Sequence, residues 1–128
     1  MFAHISLGVS NMERSLEFYD AIMKTLGHGR LFGDEHEGFM AYGPQEGFFI
    51  INTPLEPERG KVQASNGTHL CFRAATPEAV DAFYKAAMEH GAKDGGAPGL
   101  RPHYSANYYA AFVFDPDGHK LEAMARKS

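Results

Sequence analysis

Three side chains in this sequence have the chemistry to hold a divalent metal together: His4, His69 and Glu122. Two neutral imidazoles and one carboxylate make a facial donor set that leaves the other positions on an ion to water or substrate, and no soft thiolate is needed. Read singly, each histidine is more simply a residue that starts a strand, and Glu122 a surface acid. A repeat gives the reason to take them together. Shifting the chain by 65 positions lays HISLGVSNMERSLEFYDAIM (4–23) on HLCFRAATPEAVDAFYKAAM (69–88). Identities fall at His4/His69, Glu13/Glu78, Phe18/Phe83, Tyr19/Tyr84, Ala21/Ala86 and Met23/Met88, so each histidine opens one copy of a module.

The elements that must position these groups follow from periodicity. Ile5, Leu7 and Val9 point one way and His4, Ser6 and Gly8 the other, as a half-buried strand requires. Ser10 and Glu13 then have capping-box spacing, and Met12, Leu16, Tyr19, Met23 and Leu26 follow a helical period that ends near Gly27. In the second copy Thr76 is the N-cap, Pro77 sits where its missing N–H costs nothing, and Val80, Phe83, Ala87 and Met88 form the buried stripe down to Gly91. Short strands follow each helix, at 30–33, 38–43 and 48–52, then at 93–95, 108–114 and 119–125. The order is βαβββ, written twice.

The chain is therefore one α+β domain over 1–128, with modules at 1–53 and 67–128 and a linker at 54–66. If the helix covers Ile5, Leu7 and Val9, His4 faces away from it, and His69 does the same opposite Leu70 and Phe72. In the last strand Leu121, Ala123 and Ala125 fit the packed side, which leaves Glu122 and Met124 on the open one. Modules related by a pseudo-twofold bring the three donors around one concave surface.

Composition removes other classes. A chain of 128 residues that is 44% hydrophobic supports a core. A net charge of −4 without a basic run argues against nucleic acid as a partner. No apolar stretch has the length to span a bilayer and the first residues lack a charged-then-apolar leader, so the expectation is a cytoplasmic protein with no membrane partner. The single cysteine excludes an internal disulfide. No nucleophile-elbow motif is present, and Gly95–Gly99 reads as a flexible turn without the lysine of a phosphate loop. Arg101, His103 and Tyr104, followed by Tyr108 and Tyr109, are the best local supply of titratable and hydrogen-bonding groups. His103 and Tyr104 are candidate acid–base residues, and Arg101 and Tyr108 candidate substrate contacts. The plainer alternative is a polar loop whose tyrosines cover core edges. Cys71 shares a strand face with His69 and borders the same surface, as a substrate contact or as inert packing. His28, His36, His90 and His119 fall near turns or helix ends and read as solvated.

The sequence resembles the vicinal oxygen chelate superfamily, which includes glyoxalases, extradiol dioxygenases, fosfomycin-resistance proteins and bleomycin-binding proteins. The resemblance spans essentially the whole chain and rests on His4, SLEFYDAIMKTLG, His69 and DPDGHKLEAM with Glu122. GAPGLRPHYSANYYAAFVFDPDG is similar to small bacterial glyoxalase-like proteins. It implies paired βαβββ modules forming a curved mixed sheet around a cleft, a homodimer, and a divalent ion (Zn, Ni, Mn, Co or Fe) on His4, His69 and Glu122. A fourth carboxylate ligand of bacterial glyoxalases has no counterpart: GPQEGFFII places Ile51 there if the glycines of the two turns are aligned, and Ile50 if the prolines are. The resemblance implies a metal-dependent lyase, isomerase or dioxygenase acting on a small oxygenated substrate. Its alternative is a metal-free protein of the bleomycin-resistance type, binding an antibiotic or metabolite in an aromatic cleft.

Overall fold

The computed structural model describes residues 1–128. Strand β1 (His4–Gly8) leads into helix α1 (Met12–Thr25) and then β2 (Arg30–Asp34), β3 (Phe39–Tyr42) and β4 (Phe48–Asn52). After a 3-10 turn at Pro57–Arg59 the pattern recurs as β5 (His69–Arg73), α2 (Pro77–Glu89), β6 (Lys93–Leu100), β7 (Tyr108–Phe114) and β8 (Lys120–Arg126). Each module forms a four-stranded mixed sheet, in the orders β1-β4-β3-β2 and β5-β8-β7-β6. The opening strand of each pairs in parallel with the closing one, and the remaining pairs are antiparallel.

One core serves both modules. Leu16, Tyr19 and Met23 of α1, Val80, Phe83 and Ala87 of α2, and Ile51, Leu121 and Ala123 of the sheets belong to a single buried cluster. The two helices pack on each other and each covers the expected sheet face. No helix is long and apolar enough to cross a membrane.

Four local expectations are corrected. Asn11, not Ser10, caps α1, its side chain accepting from the Arg14 amide. Ser10 is drawn away because its amide and hydroxyl both donate to Asp117 across the module boundary. Met88 is 38% exposed and lies off the buried stripe. The third is the stretch 95–99, which continues β6 instead of turning. As the outer strand of its sheet β6 tolerates Pro98, and register shifts flank Gly96. Glycine is required here, since a Cβ at Gly95 would meet the Phe112 backbone at 3.2 Å and Gly96 has φ of 152°. The fourth is His119, which is no free surface group: its Nε2 lies 2.7 Å from the Gly8 carbonyl oxygen and ties the last turn of module two to β1.

That turn, Asp115-Pro116-Asp117-Gly118, is anchored internally. Asp115 is buried and accepts from the Asp117 and His119 amides at 3.0 and 2.8 Å and from the fully buried Tyr19 hydroxyl at 2.5 Å. Burial and the Asp115 carboxyl hold the Tyr19 phenol well above its ordinary pKa, so it remains a donor. The turn thus fixes both the start of β8 and the approach of α1.

Candidate functional site

The two sheets pair in the same register, which defines what faces what. In module one His4 lies beside Phe48 and Ser6 beside Ile50; in module two His69 lies beside Lys120 and Cys71 beside Glu122. Glu122 therefore has Ile50 as its counterpart, so the proline alignment is the correct one. Module one has an alkyl group where module two has its acid.

On the open face of the second sheet, His69 Nε2 and Glu122 Oε1 are 3.1 Å apart. Glu122 is 3% exposed although it faces away from the helices, because Ala110, Phe112 and Met124 form a small second cluster on this side with Tyr108 packed against it. The other carboxylate oxygen, Oε2, accepts from the Tyr108 hydroxyl at 2.6 Å. Burial, and then the bond to Glu122, raise the Tyr108 phenol above its ordinary pKa, which keeps it a donor. The Cys71 sulfur lies 3.9 Å from the same hydroxyl. Burial of the sulfur and the Glu122 charge push this thiol up to about 11, so it is a neutral thiol at physiological pH.

The remaining candidates surround this pair in layers. Tyr104 packs edge-on to Tyr108 with ring centroids 5.1 Å apart, and His103 lies against Tyr104 at 4.3 Å, so neither touches Glu122 directly. Arg101 sits over the Phe112 ring, 5.5 Å from its centroid, and donates to the Gly99 and Ala97 carbonyls at 2.8 Å each. His4 is elsewhere. Its ring stacks on Phe48 at 5.0 Å on the open face of the first sheet, and no group of three His, Cys, Asp or Glu side chains within one chain is arranged to hold a metal ion. The structure joins His69, Glu122, Tyr108 and Cys71 and leaves His4 outside that group. Sequence reading missed Phe112 and Lys120, although both share the strand parity of Glu122 that would have found them.

The pair fits a metal in two positions. Donors each about 2.1 Å from an ion, at a right angle, stand about 3.0 Å apart, and the measured separation of 3.1 Å matches. Tyr108 on the second carboxylate oxygen supplies the outer hydrogen bond that orients such a ligand. Without an ion, the same geometry is an imidazole base oriented by a buried acid. Beside it a cavity of about 550 Å³ is lined by Ile5, Tyr42, Phe48, Phe49 and Phe72, with His69 and Cys71 at its wall.

The model of the Glyoxalase/Bleomycin resistance protein/Dioxygenase superfamily matches residues 1–123. A glyoxalase/bleomycin resistance protein from Albidiferax ferrireducens is 35% identical, superposes with a TM-score of 0.88, and the match covers 98% of this chain and 99% of that one. A glyoxalase-related enzyme from Fulvimarina pelagi is 19% identical at a TM-score of 0.74, over 97% of this chain and 86% of that one. A glutamate-to-glutamine mutant of the fosfomycin resistance protein FosX from Listeria monocytogenes, solved in complex with Mn(II) and 1S,2S-dihydroxypropylphosphonic acid, is 16% identical at a TM-score of 0.70, over 99% of this chain and 90% of that one.

Proposed function

Because the chain belongs to the glyoxalase/bleomycin resistance protein/dioxygenase superfamily, we propose that it is a metal-dependent enzyme in which His69 and Glu122 hold two adjacent positions on a divalent ion and a small oxygenated substrate takes others. The observation that carries this reading is the 3.1 Å separation of His69 Nε2 and Glu122 Oε1 on a buried, fully hydrogen-bonded carboxylate. The Mn(II) bound by FosX, which shares the fold, supports it. When bound, such an ion supplies Lewis acidity to two neighbouring substrate oxygens, for lyase, isomerase or dioxygenase chemistry.

The chain's own groups have defined tasks. Glu122 contributes one oxygen to the site and is kept in orientation through the other by Tyr108. His69 offers Nε2 on the same side. The largely apolar walls of the cavity suit the apolar part of the substrate. His4 completes the donor set from a second copy of the chain. Its placement on a separate open face supports that arrangement, as do the aromatic neighbours Phe32, Phe39 and Phe48, with Phe32 46% exposed.

Titration of the purified, metal-stripped protein with Zn²⁺ and Mn²⁺ tests the reading. Glu122→Gln and His69→Ala each lower affinity at least about a hundred-fold, since each removes a ligand. Tyr108→Phe retains the ligands and lowers affinity about ten-fold, as loss of an outer-shell bond does. Wild-type affinity no better than that of a Glu122→Gln, His69→Ala double variant ends the metal reading. The second reading is metal-free capture of a flat ligand, favoured by the apolar cavity lining; its mark is ligand affinity indifferent to chelator.

A further inference from the structure

The open face that carries His69 and Glu122 also carries two cations with no acidic partner. Lys120 Nζ lies 5.2 Å from the centroid of the Phe112 ring, and the Arg101 guanidinium carbon lies 5.5 Å from the same centroid. The salt bridges of the chain join Arg14 to Asp117, Arg30 to Asp20, Arg59 to Glu56 and His69 to Glu122, and neither Lys120 nor Arg101 is among them. Phe112 is the cross-strand partner of Glu122, and its ring centroid is 6.3 Å from that of His69. Glu122, two residues from Lys120 on this face, has its oxygens turned to His69 and Tyr108 and pairs with neither cation.

This pairing is unusual for the chain. Its net charge is −4, yet two positive groups are brought within 5.5 Å of the centroid of one buried ring, whose π-electrons compensate them only in part. Arg101 is also positioned in advance: two of its donors are fixed on the Ala97 and Gly99 carbonyls at the bulged edge of β6, leaving the others free. Lys120 borders a polar hollow of about 390 Å³ with Ser65, Asn66, Thr68 and His69, whose hydroxyl and amide groups suit an anion's remaining oxygens. A divalent ion on His69 and Glu122 would add positive charge to the same face and so favour an anionic ligand further.

We propose that Lys120 and Arg101, held over Phe112, form an anion subsite beside the His69–Glu122 pair, and that the substrate is a small organic anion whose carboxylate this subsite binds. The assignment of that anion as substrate rests on the proposed function; the subsite itself does not need the metal. Its position sets the substrate's polarity, with the charged end over Phe112 and the oxygenated centre at His69 and Glu122.

The test uses benzoate and its neutral isostere benzamide, titrated into metal-stripped protein from which chelator has been dialysed, with amide NMR shifts as the readout. Wild-type protein is expected to bind benzoate at least five-fold more tightly than benzamide, with shifts centred on β7 and β8 and weakened by added salt. Lys120→Met and Arg101→Met each reduce that preference at least three-fold, and Lys120→Arg, which keeps the charge, retains it. Equal affinity of the two probes for wild type, or a preference untouched in both methionine variants, overturns the subsite. Should a methionine variant fail to fold, Lys120→Gln supplies the same comparison. Zn²⁺ titration of the same samples separates the two ideas. Metal binding without benzoate preference defeats only the subsite, and benzoate preference without metal binding defeats only the metal centre.

Discussion

Protein carrying His4→Ala, mixed under exchange conditions with protein carrying Glu122→Gln, is expected to recover metal binding that neither variant shows alone. The reasoning starts from the position of His4, which stacks on Phe48 on the first sheet's open face while His69 and Glu122 meet on the second's. If a second copy completes the donor set, each homodimer of variants has two damaged sites. A mixed dimer concentrates both defects in one site and leaves the other whole, so random assortment restores about a quarter of wild-type sites. Metal titration of a mixed dimer isolated through two different tags measures this directly. Absence of recovery in such a dimer would falsify the cross-chain site, and a His4→Ala protein that binds metal as wild type does removes His4 from the donor set.

The second large effect concerns the frame. Asp115→Ala is expected to cost about 3 kcal/mol of folding stability, because it leaves a buried hydroxyl and two turn amides without their acceptor. Those groups are the Tyr19 phenol, wholly buried, and the amides of Asp117 and His119. Tyr19→Phe removes only the hydroxyl, leaves Asp115 its two amide bonds, and costs about 1 kcal/mol. Urea denaturation measures both, and a loss below about 1 kcal/mol for Asp115→Ala contradicts the anchoring role.

Much of this was written in the sequence, for reasons that differ by element. The repeat made the two modules legible because His4 and His69 occupy the same place in each, and strand parity put Glu122 on the open side, since a side chain on a strand has only two faces. The helix caps were legible only in part. Thr76 caps α2 as its spacing indicates, whereas Ser10 is claimed by Asp117, more than a hundred residues away, and local spacing cannot register that competition. β6 was hidden for a similar reason: glycine and proline read as a turn, and only the approach of Phe112 explains why glycines build a strand there. The bond from Tyr108 to Glu122 was out of reach because Tyr108 pairs with Arg126 and its phenol extends along the sheet to the acid, a reach that depends on the register set by the Asp115–His119 loop. Parity alone could not say whether the histidines share a cavity, because it fixes faces and leaves the relative placement of two sheets open.

The last turn of module two grips module one at two points, through Asp117 on Ser10 and Arg14 and through His119 on Gly8. One grip falls at the end of the strand that starts with His4, and the turn itself launches the strand that carries Glu122. The halves are thereby geared as a rigid body, and a scissor-like opening between them would have to strip four or more polar contacts at once.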